Sequence, residues 1–294
     1  MNLISNVSVG TPTVEGRWSI FPLYLSGTRA IRNEVRGWGV SIYEQNAANV
    51  PTLMLENDSS TWVLVPSGAI VGGGLQNRVI NTSALLSPHY GTDVPVSCIE
   101  QGRWSGNRNF DHGTTFAPRR VRRVLRTSSS RDSDGRSRAD QHAVWQTVHE
   151  ALVSRGADNA THDLRGIRAA SRAPERDRLI DELVRSGPRP GQIGIAVCRG
   201  SRVVSAELFG SEQLLQDFWE ELIRAAFDEN EPSGRGTGTS DAVLRFLARA
   251  NNSDVMPEAS IGHGRTVALR SDRIAGQVLE HEGALVHASM FALA

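Results

Sequence analysis

At 294 residues, 39% hydrophobic and 22% charged, the chain is long enough to bury a sizeable core. Its formal net charge is zero, which removes any global electrostatic case for nucleic acid or an anionic membrane as partner. All 32 basic residues are arginine. A Walker-type P-loop and a lysine Schiff base are therefore excluded, and anions must be held by guanidinium forks or backbone N–H groups. No apolar run approaches the roughly 20 residues that a membrane-spanning helix needs. The N-terminal stretch has no basic-then-apolar leader pattern, and Cys98 and Cys198 make no disulfide framework. These features point to a reducing, cytoplasmic location and to no membrane partner.

Residues 1–104 read as β-rich, with apolar runs at Ser19–Leu25, Trp38–Tyr43, Thr61–Val65, Arg78–Leu86 and Val94–Ile99 between Gly, Pro and Asn-Asp-Ser clusters. Residues 105–139 are polar, and eight arginines fall between Arg119 and Arg138 among serines and aspartates. With no interleaved aromatic residues, this stretch reads as a solvated surface loop and not as a nucleic-acid grip. Residues 140–294 mix helices and hairpins. Asp140 is a candidate N-cap for a helix over Gln141–Arg155, with Val144, Val148 and Leu152 on one face. Pro174 opens a second helix that Gly187 closes. Ile193–Val197 and Val203–Leu208 read as a hairpin. From Ser211 the residues Leu214, Leu215, Phe218, Trp219, Leu222, Ile223 and Phe227 form a helical apolar stripe. After a Gly-rich gap at Asn230–Thr239 come a shorter helix, Asp241–Ala250, and strand-like runs at Thr266–Ile274 and Ala284–Phe291. Strands first, then helices and hairpins without βαβ alternation, predict an α+β fold: a largely antiparallel sheet with several amphipathic helices packed on it.

The stretches GGGLQNRVINTSALL (72–86) and CIEQGRW (98–104) place amides and charges where strands normally carry valine. Read as neighbouring antiparallel strands, Gln76–Leu86 and Val94–Glu100 form one polar constellation. It holds Gln76, Asn77, Arg78, Gln101, Arg103 and Trp104 as ligand contacts and Glu100 as a candidate acid/base. Gly72, Gly73, Gly74 and Gly102 permit close backbone approach, and Cys98 is a structural thiol. Glu100 can pair with Arg78 or with Arg103 beside Trp104, and Arg78, across the short link, is the expected partner. Asn77 and Gln101 complete the network. The competing reading is a buried network that fixes strand register. No metal is expected: His142 and His149 are seven apart on one helix, and the histidines at 263, 281 and 287 lack a ligand spacing.

The segments GGGLQNRVINTSALL, VPVSCIEQGRW, DQHAVWQTV, SAELFGSEQLLQDFWEEL and VHASMFA resemble the ADP-ribosylglycohydrolase- and rhodanese-phosphatase-associated domain family over about residues 10–294. Leu75 stands where that family can carry lysine. The resemblance implies one family domain over the whole chain, associated by context with ADP-ribosylation and NAD use, and it names no cofactor. It carries Gln76, Asn77, Arg78, Cys98, Glu100, Gln101, Gly102, Arg103 and Trp104, and beyond them Asp140, Gln141 and Trp145. Three functions follow as expectations: a module binding an ADP-ribose- or NAD-type small molecule, a hydrolase or transferase using Glu100 with Asp93 or Asp140, and a structural protein whose partner is a second copy of itself.

Overall fold

The computed structural model describes residues 4, 6–27, 31–44, 51–106, 109–111, 115–170, 174–227 and 235–293. The fold is α+β, and most of its strand pairs are antiparallel. The largest sheet runs Val7–Val9, Trp18–Leu25, Gly194–Arg199, Arg202–Phe209, Ala284–Ala292, Ile274–His281, Arg265–Arg270, Asp254–Glu258, with Thr13–Glu15 also against Trp18–Leu25. Alternation along these strands feeds two cores. Ile20, Ile195 and Val197 face one; Phe21, Leu23, Ala196 and Cys198 face the other.

Among the described residues, six helices cover these layers: α1 (Arg119–Thr127), α2 (Gln141–Arg155), α3 (Gly166–Ala169), α4 (Pro174–Ser186), α5 (Glu212–Ala226) and α6 (Ser240–Asn251). The apolar stripe of α5 fills the first core, and Val243, Phe246, Leu247 and Ala250 of α6 fill the second. The expected cap at Asp140 is present, and Ser211 caps a second helix. Asp140 accepts from the N–H groups of His142 and Ala143 at the start of α2, and Ser211 accepts from Leu214 N–H at the start of α5. The gap at Asn230–Thr239 lies partly outside the described residues.

Two smaller sheets carry the polar segments. One runs Thr115–Phe116, Ala69–Val71, Arg78–Ile80, Tyr90–Cys98, Thr52–Asn57, Ser41–Tyr43; the other runs Ile261–Gly262, Ala84–Leu86, Trp62–Val65, Val35–Gly37. The expected strand Gln76–Leu86 is thus divided. Its first part, Arg78–Ile80, pairs antiparallel with Val96–Cys98 as expected, with Arg78 opposite Cys98. Its second part, Ala84–Leu86, belongs to the other sheet. Asn81, Thr82 and Ser83 make the corner: Ser97 Oγ donates to Asn81 Oδ1, and Ser83 N–H donates to Gln277 of the large sheet. Trp38–Tyr43 is likewise interrupted. Trp38 adopts φ 59°, which ends Val35–Gly37 before Ser41–Tyr43 begins.

The Arg119–Arg138 segment is not the expected surface loop. It forms α1 and a short hairpin of Ser129–Arg131 with Ser137–Ala139. Arg119, Arg122 and Arg126 are buried on the same helix as Val121 and Leu125. Their charge is met by groups remote in sequence. Arg122 grips both oxygens of Glu207, and Arg126 bonds Glu258 at 3.2 Å and the Asn81 carbonyl at 2.5 Å. Charge-rich composition read as exposure because those carboxylates could not be assigned as partners.

Candidate functional site

Glu100 closes the Tyr90–Cys98 strand and is only 5% exposed. Its carboxylate accepts from Asn77 N–H (3.1 Å), Arg103 Nε (2.8 Å) and Thr161 Oγ (3.1 Å). Burial alone would raise its pKa, but the bonds from Arg103, Asn77 and Thr161 together hold it below the usual carboxylate value. The partner of Glu100 is therefore Arg103, at 2.7 Å, and not Arg78. Arg78 lies 4.0 Å from Glu44 and packs over the Trp104 ring, 5.8 Å from its centre. The reason is register. Arg78 sits opposite Cys98, whereas Glu100 is beyond the ladder and meets the turn that carries Arg103.

The neighbouring groups are also committed. Arg103 donates to the carbonyls of Gly74 (2.7 Å) and Ser105 (2.8 Å), and Gln76 donates to the Glu100 carbonyl at 3.1 Å. Asn77 Oδ1 accepts from Gly73 N–H at 2.8 Å. Gln101, expected to complete this network, is exposed instead, and Trp104 is half exposed. Gln141 makes a two-way bond to the Cys98 backbone, accepting from its N–H at 2.9 Å and donating to its carbonyl at 2.8 Å, so the side chain continues the ladder. Burial pushes the Cys98 thiol pKa up, which disfavours a nucleophilic thiolate.

The glycines are steric requirements. A Cβ on Gly72 would collide with Arg165 and Asp111, which form an ion pair above it at 3.0 Å. At Gly102 a Cβ would stand 2.9 Å from Thr161 Cα. Gly73 combines φ 105° with a Cβ position 2.5 Å from the Asn109 carbonyl oxygen. Gly73→Ala is therefore expected to lose about 1–3 kcal/mol from backbone strain. Gly91→Ala, at ordinary contact distance and without positive φ, should stay within about 1 kcal/mol of the parent. Urea denaturation of both variants checks this, and equal losses would refute it.

Sequence reasoning missed the segment between α2 and α3. From it Asn159, Thr161 and Asp163 turn inward and are half-buried, while Arg165 is exposed at its end. Thr161 reaches Glu100, Asn159 clasps the Asp163 backbone, and Arg165 lies 3.4 Å from Asn77 Oδ1. Glu100 and Asp163 are bridged backbone to backbone, so the carboxyl residue beside Glu100 is Asp163, where the sequence reading named Asp93 or Asp140. Burial pushes the Asp163 pKa up, against the opposing bond from Arg165 N–H, so the two neighbouring carboxyls are shifted in opposite directions. The sequence signal was the density of Asp, Asn, Thr and His between Gly156 and Gly166. Beside Asp163 and Arg165 opens a cleft of about 630 Å³, walled by Ile70, Phe116, Leu164 and Ile167.

A second polar cluster lies in the core. Ser83 Oγ is 2.8 Å from His287 Nδ1, and His287 Nε2 is 3.0 Å from Glu207 Oε1. These are the residue types of a nucleophile triad, but serine and carboxylate bond the opposite ring nitrogens from those of the serine-protease arrangement. Ser83 and His287 are fully buried, and Ser83 Oγ already accepts from Ser67 N–H. Its own hydrogen then points to Nδ1, leaving Nε2–H to donate to Glu207. The cluster pins the large sheet to the corner at Ser83.

Among the described residues, no helix is long and apolar enough to cross a membrane. No curated protein and no solved structure matches the chain. The model of one family does, over residues 6–291, and it spans both polar segments, the inward-turning loop and the strands that position them. The chain belongs to the ARG and Rhodanese-Phosphatase-superfamily-associated Protein domain family.

Proposed function

We propose that the protein binds a small anionic ligand of the nucleotide type, such as ADP-ribose or NAD, in the cleft rimmed by Asp163 and Arg165. The Gln76–Trp104 cluster is the wall behind that cleft and not its contact surface. One observation carries this reading: Arg165 lines the cleft while also contacting Asn77 of the cluster. Its ion pair with Asp111 is at the surface, 44% and 56% exposed, so exchanging that partner for a phosphate costs little. The cleft volume falls within the range of about 300–1,000 Å³ usual for small-molecule sites.

The opposed shifts of Glu100 and Asp163 favour a second reading, hydrolysis of a glycosidic bond within such a ligand. Asp163 would then hold the proton delivered to the leaving oxygen. Glu100, sealed by Arg103, Asn77 and Thr161, would act on Asp163 through its charge only.

A thermal-shift panel of ADP-ribose, NAD, nicotinamide mononucleotide and nucleoside phosphates tests the binding reading. A ligand at 100 times its dissociation constant should stabilise the protein by about 2.7 kcal/mol. Arg165→Ala should abolish the shift while changing the stability of the free protein by no more than about 0.5 kcal/mol. A panel with no response, or one unchanged by Arg165→Ala, rejects the proposal. Chromatography of the incubated ligands decides between binding and cleavage.

A further inference from the structure

At the outer side of the same α2–α3 connection, three groups that the cleft does not use meet. His149, on the exposed face of α2, Asp158 and His162 each offer one ligand atom, and these atoms lie within 4.8 Å of one another. His162 Nδ1 is 2.9 Å from Asp158 Oδ1, and the two imidazole rings stand edge to face with centres 5.5 Å apart. His162 adopts φ 50°, a left-handed conformation uncommon outside glycine, and so turns its ring toward the other two groups.

We propose that His149, Asp158 and His162 form a binding site for a divalent transition metal of the zinc class. Two imidazoles and one carboxylate suit zinc, cobalt or nickel, whereas calcium and magnesium prefer all-oxygen shells. Ligand bonds of about 2.0–2.1 Å in tetrahedral geometry place donor atoms roughly 3.3 Å apart. The His162–Asp158 contact therefore opens slightly as the metal replaces the proton between them, and His149 swings in by a side-chain rotation. Three protein ligands leave the fourth position to water. The metal would tie α2 to the connection whose inner face holds Glu100 through Thr161. Sequence spacing hid the set, because its second histidine comes from the connection and not from the helix that carries His149.

Titrating the metal-stripped, untagged protein with Co²⁺, read by visible absorption, tests the assignment. Zn²⁺ is then added in competition. One equivalent of Co²⁺ should bind, with the absorption of a low-coordinate site that Zn²⁺ erases. His149→Ala and Asp158→Asn should each weaken binding at least tenfold. His162→Asn, chosen because asparagine tolerates the left-handed backbone, should do the same. All three positions are at the surface or half-buried, and unchanged thermal unfolding without metal verifies that each variant folds. Absence of uptake by the parent protein overturns the proposal, as does stoichiometric binding that survives in all three variants.

Discussion

Arg122→Ala should destabilise the protein by about 3–5 kcal/mol at neutral pH, because it leaves the Glu207 carboxylate in the core without its cation. Glu207 is 4% exposed; burial would raise its pKa, but Arg122 and the bond from His287 hold it below the ordinary value. The sign of the pH dependence follows. A carboxyl with a depressed folded pKa contributes stability above its unfolded value, about 4.3 for glutamate, and that contribution is lost as pH falls through the folded value. The parent should therefore lose this part of its stability on acidification. The deficit of Arg122→Ala should narrow as acid neutralises the stranded Glu207. Urea denaturation of both proteins between neutral and acid pH measures this. Arg122→Met combined with Glu207→Gln removes both charges and should recover most of the loss. A single-variant loss below about 1 kcal/mol would show that solvent or another cation reaches Glu207.

Arg103→Ala is expected to cost about 3 kcal/mol. This is the low end of the range for breaking a buried pair, since the Arg103 side chain keeps 23% of its surface exposed. The variant removes the closest cation from Glu100 and also frees the carbonyls of Gly74 and Ser105. The effect should appear in denaturation of the free protein, with no ligand present. Native stability in Arg103→Ala would mean that Asn77 and Thr161 alone hold the Glu100 charge, and the wall behind the cleft would then be looser than its geometry implies.

Local periodicity made much of this fold legible. The stripes of α2, α5 and α6 are i, i+3, i+4 patterns, and Asp140 announced α2 by its capping chemistry. The pairing of Arg78–Ile80 with Val96–Cys98 was legible from alternation and a short connection. What failed depends on partners far along the chain. Arg122 and Arg126 look solvated until Glu207 and Glu258 are brought beside them. The choice between the two partners weighed for Glu100 was a local matter instead: the turn at Gly102 delivers Arg103 in preference to Arg78. Asp163 and Arg165 carry no periodic signal, because their orientation comes from side chains that bond the loop's own backbone.

The order of strands in the large sheet bears on how the chain reaches this state. Trp18–Leu25 precedes Gly194–Arg199 by about 170 residues, yet the two strands pair. Ala284–Ala292, the last strand, is inserted between Arg202–Phe209 and Ile274–His281. An emerging chain must hold one edge of Trp18–Leu25 without its partner until Gly194–Arg199 has left the ribosome. Such non-local closure makes for slow folding and for a long interval with an open strand edge. Stopping synthesis before Ala284 would remove a middle stave rather than an end, and would part the sheet into two pieces.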